Sequence, residues 1–252
     1  MEKAVPPEDR ILFINKDVII VNKLAGEAME GAKRGIVDLP ALIKDYLGRE
    51  QTGKSKNSKK QSGAAAFGVN CVHRIDVPVT GCALFARNAK AAAFLGRSFS
   101  RTMYEGGRAE KYYWAVVELS AAFSALPDTG ELAHWVSVNT KKNKSTAYDE
   151  PRSGRKEAIL RYRMRGKGKT CGFMEIELVT GRHHQVRAQL AAIGVHIKGD
   201  LKYGAKRSEK GGGIRLHARS LYFPDPSVPG NFIHVTAEPP VADVLWKNFG
   251  SV

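Results

Sequence analysis

AILRYRMRGKGKTCGFMEIELV, residues 158–179, is the most informative part of this chain for its fold class. In each half of the stretch apolar residues alternate with charged ones, which is the period-two pattern of a β-strand with one buried face. The Gly- and Lys-rich segment 166–169 between the halves is typical of a turn. The stretch therefore predicts an antiparallel hairpin.

The three arginines of this stretch have a structural explanation. With Arg165 opposite Phe173, the two arginines that precede it in the alternation face Glu175 and Glu177 across the hairpin. Opposite charges that face each other across an antiparallel pair stabilise it. We therefore interpret this arginine ladder as part of the sheet and not as a binding surface.

The chain on either side of the hairpin predicts more strands than helices, from period-two and helical patterns. Strands are predicted at Ile11–Ile14, Val18–Val21, 111–119, from Leu216 and at 232–235, and helices at Leu39–Leu47, Leu84–Phe99, His184–Ile193 and the C-terminus. The strands and helices do not alternate as in βαβ units. We therefore expect one α+β domain over residues 1–252, with flanking helices on a mixed, largely antiparallel sheet.

The composition excludes several classes of protein. Hydrophobic residues make up 43% of the 252 residues and charged residues 26%, as in an ordinary globular protein. No apolar run approaches the roughly 18 residues that a membrane-spanning helix needs. The N-terminus carries acids and no apolar segment, so we expect neither a signal peptide nor a membrane partner.

The cysteines and histidines point to no metal or disulfide framework. Cys71, Cys82 and Cys171 are odd in number and too far apart for a CxxC pair, which favours a reducing cytoplasm. The seven histidines form no HxH or HExxH spacing. We expect a protein that needs neither a metal nor a small-molecule cofactor.

The net charge is strongly positive. Lys and Arg number 40 against 25 Asp and Glu, which leaves +15. An excess of this kind predicts a polyanionic partner, most readily a nucleic acid, because cations that neutralise phosphates release condensed counterions. The alternative is that the charge serves solubility alone.

Three basic runs lack the alternating acids of the hairpin and are the candidate phosphate contacts. We expect residues 49–62, which hold one acid and no apolar residue, to form a mobile loop inside the domain. The alternative for each run is a solvated loop that contacts no phosphate. The candidates are Lys56, Lys59, Lys60, Lys141, Lys142, Lys144, Lys202, Lys206 and Arg207.

Polar residues stand beside small or turn residues in three further segments. They are HRID at 73–76, KYYWAVV at 111–117 and TGRHHQVR at 180–187. Taken alone, HRID is better explained as an ordinary surface ion pair. The order and separation of all three are more informative than any one of them.

HRIDVPVTG, KYYWAVV, TGRHHQVRAQLAAIGVHIKGDLKYG and LHARSLYF, in this order, closely resemble the motifs of the RluA-type pseudouridine synthases. INKDVIIVNKLAG is similar to the first motif of that family, although Leu24 stands where a Pro is usual. Val79 and Thr80 replace Thr-Ser in one motif, and His183 replaces a Thr in another. The departures indicate a divergent member whose RNA target should not be copied from a relative.

The resemblance implies the pseudouridine synthase fold with an RNA-binding cleft, and isomerisation of a specific uridine in ribosomal or transfer RNA. The essential aspartate of the family falls on Asp76, and its chemistry stays open between addition to the base, attack on the sugar and removal of a sugar proton. The resemblance pairs Arg187 with Asp76, stacks Tyr113 on the uracil, and places Arg74 in the space that the flipped nucleotide leaves. His73 is as well explained by a structural hydrogen bond, so we do not include it.

We also expect no N-terminal S4-type RNA-binding domain, because the first predicted strand begins at Ile11. A protein of another class fits the same charge: an RNA-binding protein on a synthase scaffold that acts in RNA folding or ribosome assembly without catalysis. Retention of Asp76, Tyr113 and Arg187 argues against it, since binding alone does not require all three.

Overall fold

The computed structural model describes residues 7–32, 35–54, 68–100, 107–209, 212–240 and 244–247. The strands are β1 (Ile11–Ile14), β2 (Val18–Lys23), β3 (Glu27–Ala28), β4 (Val37–Asp38), β5 (Asn70–Cys71), β6 (Thr80–Ala86), β7 (Glu110–Glu118), β8 (Thr129–Asn139), β9 (Lys144–Tyr148), β10 (Lys156–Lys167), β11 (Cys171–Leu178), β12 (Leu216–Pro224) and β13 (Phe232–Thr236). The helices are α1 (Leu39–Lys54), α2 (Ala89–Ser98), α3 (Ala121–Ser124), α4 (Gln185–Ala192) and α5 (Val244–Lys247), with 3-10 turns at Pro7–Arg10 and Leu201–Tyr203.

Eleven of these strands form one sheet, in the order β1-β2-β6-β12-β7-β11-β10-β8-β9, with β13 beside β12 and β5 beside β6. Within this sheet, among the strands described, β6 and β12 form the one parallel pair. β3 and β4 make a separate two-stranded sheet. The prediction of an α+β fold on a mixed, largely antiparallel sheet is confirmed.

The hairpin over 158–179 forms as β10 and β11. Arg161 lies opposite Glu177 and also pairs with Glu131 of β8, with N–O distances of 3.5 and 3.0 Å. The predicted register is wrong at the turn end, because a bulge between positions 164 and 166 leaves Gly166 opposite Phe173. A bulge adds one residue to one strand, and no alternating pattern signals it.

The helix predicted over Leu84–Phe99 is correct only in its second half. Leu84 lies in β6, whose seven residues are all buried, and the helix α2 begins at Ala89. A strand covered on both faces is apolar at every position, so it has no period that distinguishes it from a buried helix. Asn88 marks the start of α2, because its side chain accepts a hydrogen bond from the Ala91 N–H at 2.8 Å and caps the helix.

The helix predicted to end at Leu47 continues to Lys54, so residues 49–54 are not the loop that we expected. The first turns of α1 are anchored by buried side chains, and Arg49 pairs with Asp45 one turn earlier at 3.3 Å. Packing of the first turns therefore stabilises the helix enough for it to extend through the polar residues that follow. Residues 55–62, with Lys56, Lys59 and Lys60, lie outside the described residues.

The core lies on both faces of the sheet. Alternate residues of β2 divide between the two sides: Ile19 packs with α1 and α4, whereas Ile20 packs with α2 and β13. The side that holds α1 and α4 also holds Tyr113 of β7. None of the described helices is long and apolar enough to cross a membrane.

We predict that Gly81→Ala destabilises the fold by more than about 2 kcal/mol, because strain at a positive φ and overlap with the neighbouring strand act together. Gly81 has a φ of +116°, and an added Cβ would lie 2.2 Å from the Ala218 carbonyl oxygen across the β6–β12 pair. Urea unfolding measures the change.

Gly96→Ala is the matched control. Gly96 lies in α2, and an added Cβ there would meet nothing within 4 Å. Alanine is the better helix former, so this change should stabilise the protein by about 0.5–1 kcal/mol. Equal effects of the two substitutions would contradict the packing of β6 against β12.

Candidate active site

A cleft of about 390 Å³ opens on the side of the sheet that holds α4. Most of its lining residues come from three distant segments, 71–79, 111–113 and 178–187, and each of these overlaps one of the polar segments singled out in the sequence. Asp76, Tyr113 and Arg187 all line this one cleft. The tertiary structure thus brings the predicted catalytic residues together.

Asp76 is held by Arg187. The Arg187 Nη1 donates to the Asp76 Oδ2 at 3.1 Å. The same guanidinium donates from Nε and Nη2 to both carboxylate oxygens of Asp200, at 2.7 and 2.8 Å. Arg187 and Asp200 are buried, whereas 22% of the Asp76 side chain stays exposed to the cleft. The bidentate pair orients the guanidinium and leaves one edge for Asp76.

Sequence reasoning missed Asp200. It belongs to the GDLKYG segment of the third motif, 13 residues after Arg187, and the only local signal is a lone acid in a Gly-rich turn. Such an acid is usually exposed. Its burial opposite Arg187 depends on the path of the segment after α4, which returns to pack against that helix. No short sequence pattern predicts this path.

Lys23 fixes the turn that carries Asp76. Its fully buried ammonium donates to the carbonyl oxygens of Leu24, Asp76, Val77 and Val79, at distances between 2.6 and 3.1 Å. Burial lowers the pKa of Lys23 to about 7. An ammonium that binds several carbonyls at once holds the backbone on both sides of the aspartate in place.

His184 is the second side chain that sequence reasoning missed. It adopts a left-handed backbone conformation, with φ of 51°, directly before α4. The Tyr203 hydroxyl accepts from the Ser145 N–H at 2.8 Å and lies 2.9 Å from the His184 Nδ1, so its own proton can be donated to that nitrogen. The His184 Nε2 then carries the imidazole proton, 3.7 Å from the Asp76 Oδ2.

The imidazole of His184 stays neutral, because burial, followed by the charge of Arg187, lowers its pKa to about 3. A neutral imidazole next to Asp76 can donate a hydrogen bond and does not compete with Arg187 as a cation. His183, the departure from the family pattern, stacks on His184 with ring centroids 3.8 Å apart.

Tyr113 lies in the wall of the cleft and is only 6% exposed. Burial, and then the charge of Asp76, raise the pKa of its phenol, which keeps its proton at neutral pH. Tyr112 and Trp114 are more exposed and lie on the other face of β7, as the alternation predicts.

His73 has a structural position. The backbone N–H of Leu84 donates to its Nε2 at 3.1 Å, and its ring stacks on Phe99 with centroids 5.0 Å apart. Burial lowers the pKa of His73 to about 3. By contrast, Arg74 lies at the rim of the cleft with 67% of its side chain exposed, 3.0 Å from Glu30.

Two of the basic runs meet next to the cleft. The Lys202 Nζ donates to the Asn143 carbonyl oxygen at 3.1 Å, and the Lys144 Nζ lies 5.1 Å from the centre of the Tyr203 ring. Asn143 also lies 3.1 Å from the Nε2 of His183 at the rim. The candidates Lys141, Lys142, Lys202, Lys206 and Arg207 are exposed.

The basic run over residues 202–215, which contains Lys206 and Arg207, holds one acid, Glu209. Its last cation, Arg215, pairs with Glu209 at 2.8 Å, and Lys198 pairs with the same carboxylate at 3.3 Å.

Within the described ranges, no group of three or more His, Cys, Asp or Glu side chains is placed to hold a metal ion.

A family model described as RNA pseudouridylate synthase matches residues 17–192, which is more than half of the chain. The chain belongs to this family. The family is one of isomerases, and the match spans Asp76, Tyr113 and Arg187.

Relatives of this synthase support the RluA type. An uncharacterized RNA pseudouridine synthase of Zymomonas mobilis is 28% identical over 218 residues, which cover 84% of this chain and 86% of the relative. The dual-specificity RNA pseudouridine synthase RluA of Vibrio vulnificus is 26% identical over 243 residues, 90% of this chain and 83% of its own. Other relatives are named tRNA pseudouridine synthase C, from Haemophilus ducreyi, and ribosomal large subunit pseudouridine synthase D, from Zymomonas mobilis.

A solved structure shares the fold of this synthase. The human RNA pseudouridylate synthase domain containing 4 superposes with a TM-score of 0.71 at 18% sequence identity, and the match covers 97% of this chain and 94% of that one. The prediction of the pseudouridine synthase fold is confirmed.

We predict that Asp200→Asn lowers the free energy of unfolding by about 3 kcal/mol, because it leaves the buried Arg187 without its bidentate carboxylate. Arg187 would also lose its orientation toward Asp76, so activity should fall with stability. Urea unfolding gives the first quantity and pseudouridine formation the second.

Asp45→Asn provides the comparison, since it removes an exposed carboxylate from the Arg49 pair on α1. That change should shift the free energy of unfolding by less than about 1 kcal/mol. A fully stable Asp200→Asn protein with parental activity would show that Asp200 does not position Arg187.

Proposed function

We propose that this synthase converts a specific uridine in ribosomal or transfer RNA to pseudouridine, with Asp76 as the catalytic group. The observation that carries the proposal is the Asp76 carboxylate, accessible in the cleft and held by a buried arginine. In this reaction the C1′–N1 bond breaks, the uracil rotates and C5 bonds to C1′; C5 then loses its proton, and N1 gains one. A carboxylate is suited to each of the three roles left open for Asp76.

The neighbouring side chains would have separate tasks. Arg187 neutralises and orients the carboxylate, and Tyr113, a protonated phenol in the wall of the cleft, stacks on the uracil. Arg74, exposed at the rim, fills the space that the extruded nucleotide leaves. Extrusion costs a few kcal/mol, which contacts of this kind offset. The proposed reaction uses no metal and no cofactor.

Structured RNA is the proposed partner and the cytoplasm the proposed location. The surplus of +15 and the basic runs beside the cleft support an RNA partner. The names of the two relatives that specify transfer RNA and the ribosomal large subunit support those two classes as targets.

We predict that Asp76→Asn abolishes pseudouridine formation and binds RNA at least as tightly as the parent. The substitution keeps the size of the side chain but removes its nucleophilic charge, and it also removes a negative charge from the RNA-facing cleft. Mapping pseudouridines in total RNA with and without the protein identifies the substrate. Conversion and binding are then measured on that RNA.

Two outcomes would contradict this assignment. Conversion by the Asp76→Asn variant would move the catalytic group elsewhere. A parent that binds RNA but modifies no uridine in the RNA of its own cell would favour the RNA-binding protein without catalysis.

We predict that replacing Lys56, Lys59 and Lys60 with Gln weakens RNA binding and flattens its salt dependence, because fewer phosphates are neutralised. Turnover at saturating RNA should not change, since none of these lysines is among the residues proposed for catalysis. Affinity is measured over a series of salt concentrations.

A matched triple variant at the exposed residues Lys16, Lys90 and Lys156 removes the same charge elsewhere. It should affect the salt dependence much less. Equal slopes for the two triple variants would mean that the first run is only a solvated insertion.

A further inference from the structure

Lys111 is a buried cation in the cleft, and none of the roles proposed above involves it. It precedes Tyr113 by two residues on β7, so both side chains lie on the same face of the strand. Lys111 is 8% exposed and lines the cleft together with Asp76 and Tyr113. An added Cβ on Gly181 would lie 3.1 Å from the Lys111 Nζ, so the ammonium rests against the turn before α4.

No negative charge compensates this ammonium within the described residues, where it has no hydrogen bond and no ion pair. Burial, followed by the charges of Arg108 and Arg182, lowers the pKa of Lys111 to about 8. His73, close enough for its own pKa to be lowered by Lys111, is neutral. The charged side chains that act on Lys111 are therefore both cations, Arg108 and Arg182.

A buried ammonium without a counter-charge destabilises a fold. Lys23, the other buried lysine of the site, is surrounded by carbonyl oxygens, so the fold does supply acceptors where a lysine has a structural purpose. Lys111 lacks such acceptors and borders open space. A local violation of this kind marks a position kept for a ligand.

We propose that Lys111 binds a backbone phosphate of the substrate RNA, next to the uridine in the cleft. This inference rests on the proposed function. A phosphate supplies the full negative charge that Lys111 lacks among the described residues, whereas a uracil carbonyl supplies none. A compact ammonium is also a common phosphate ligand.

The test is Lys111→Met in the Asp76→Asn background, in which the RNA is not consumed. The ligand is the RNA identified by pseudouridine mapping. Loss of one phosphate contact should weaken binding about tenfold and reduce the slope of log K against log salt by about 0.7–0.9. Lys16→Met, which removes an exposed charge on the β1–β2 turn, should leave both values close to the parent.

Stability distinguishes a ligand contact from a structural role. Since Lys111→Met removes an uncompensated buried charge, the free energy of unfolding should stay the same or rise. A destabilised variant with an unchanged salt slope would overturn the proposal.

RNA with an abasic site at the target position separates phosphate from base. The loss of affinity caused by Lys111→Met should persist on this RNA. If it disappears, Lys111 contacts the uracil and the proposal is wrong. Failure of the proposed function would look different: mapping with and without the parent would find no uridine that the parent converts.

Discussion

The arrangement of this cleft depends on one buried guanidinium shared between two carboxylates. Arg187 is bound on two of its nitrogens by Asp200 and offers the third to Asp76. The buried Asp200 supplies the charge that makes a desolvated arginine tolerable, and Asp76 is left partly open to the cleft. Rigidity and accessibility are thus divided between two acids, since a single carboxylate could not be both saturated with hydrogen bonds and free to react.

The sheet brings Asp76 and Tyr113 together from distant parts of the chain. The turn that carries Asp76 leads into β6, and Lys23 at the end of β2 binds three of its carbonyls. β6 pairs with β12 in parallel at Gly81. β12 pairs in turn with β7, the strand that carries Tyr113. Errors in strand pairing would therefore displace Asp76 relative to the proposed stacking surface.

The charge of the cleft is not uniform. Asp76, Arg187 and a neutral His184 form one side, and Lys111 with its cationic neighbours forms another. The exposed lysines of the β8–β9 turn and of the segment after α4 extend the positive surface outward. These cations lie beside the cleft that holds the Asp76 carboxylate, which suits the proposed polyanionic partner.

Those elements and residues that leave a local pattern could be predicted from the amino-acid sequence. Period-two alternation identified β10, β11 and the inward position of Tyr113, because one buried face repeats every second residue. Alternation is absent around Leu84, where both faces of β6 are covered, so a helix was predicted there. The polar composition of residues 49–54 predicted a loop, whereas packing of the earlier turns extends the helix through them. Motif order was enough to single out Asp76 and Arg187.

The partners that hold those residues were decided only by the tertiary structure. Asp76 and Arg187 are 111 residues apart, and Lys23 lies 53 residues before the aspartate that it positions. The isolation of Lys111 depends likewise on what surrounds it in space. Hydrogen bonds and desolvation act over a few ångströms in the folded protein, and residues separated by these lengths of chain carry no local pattern that reports such proximity.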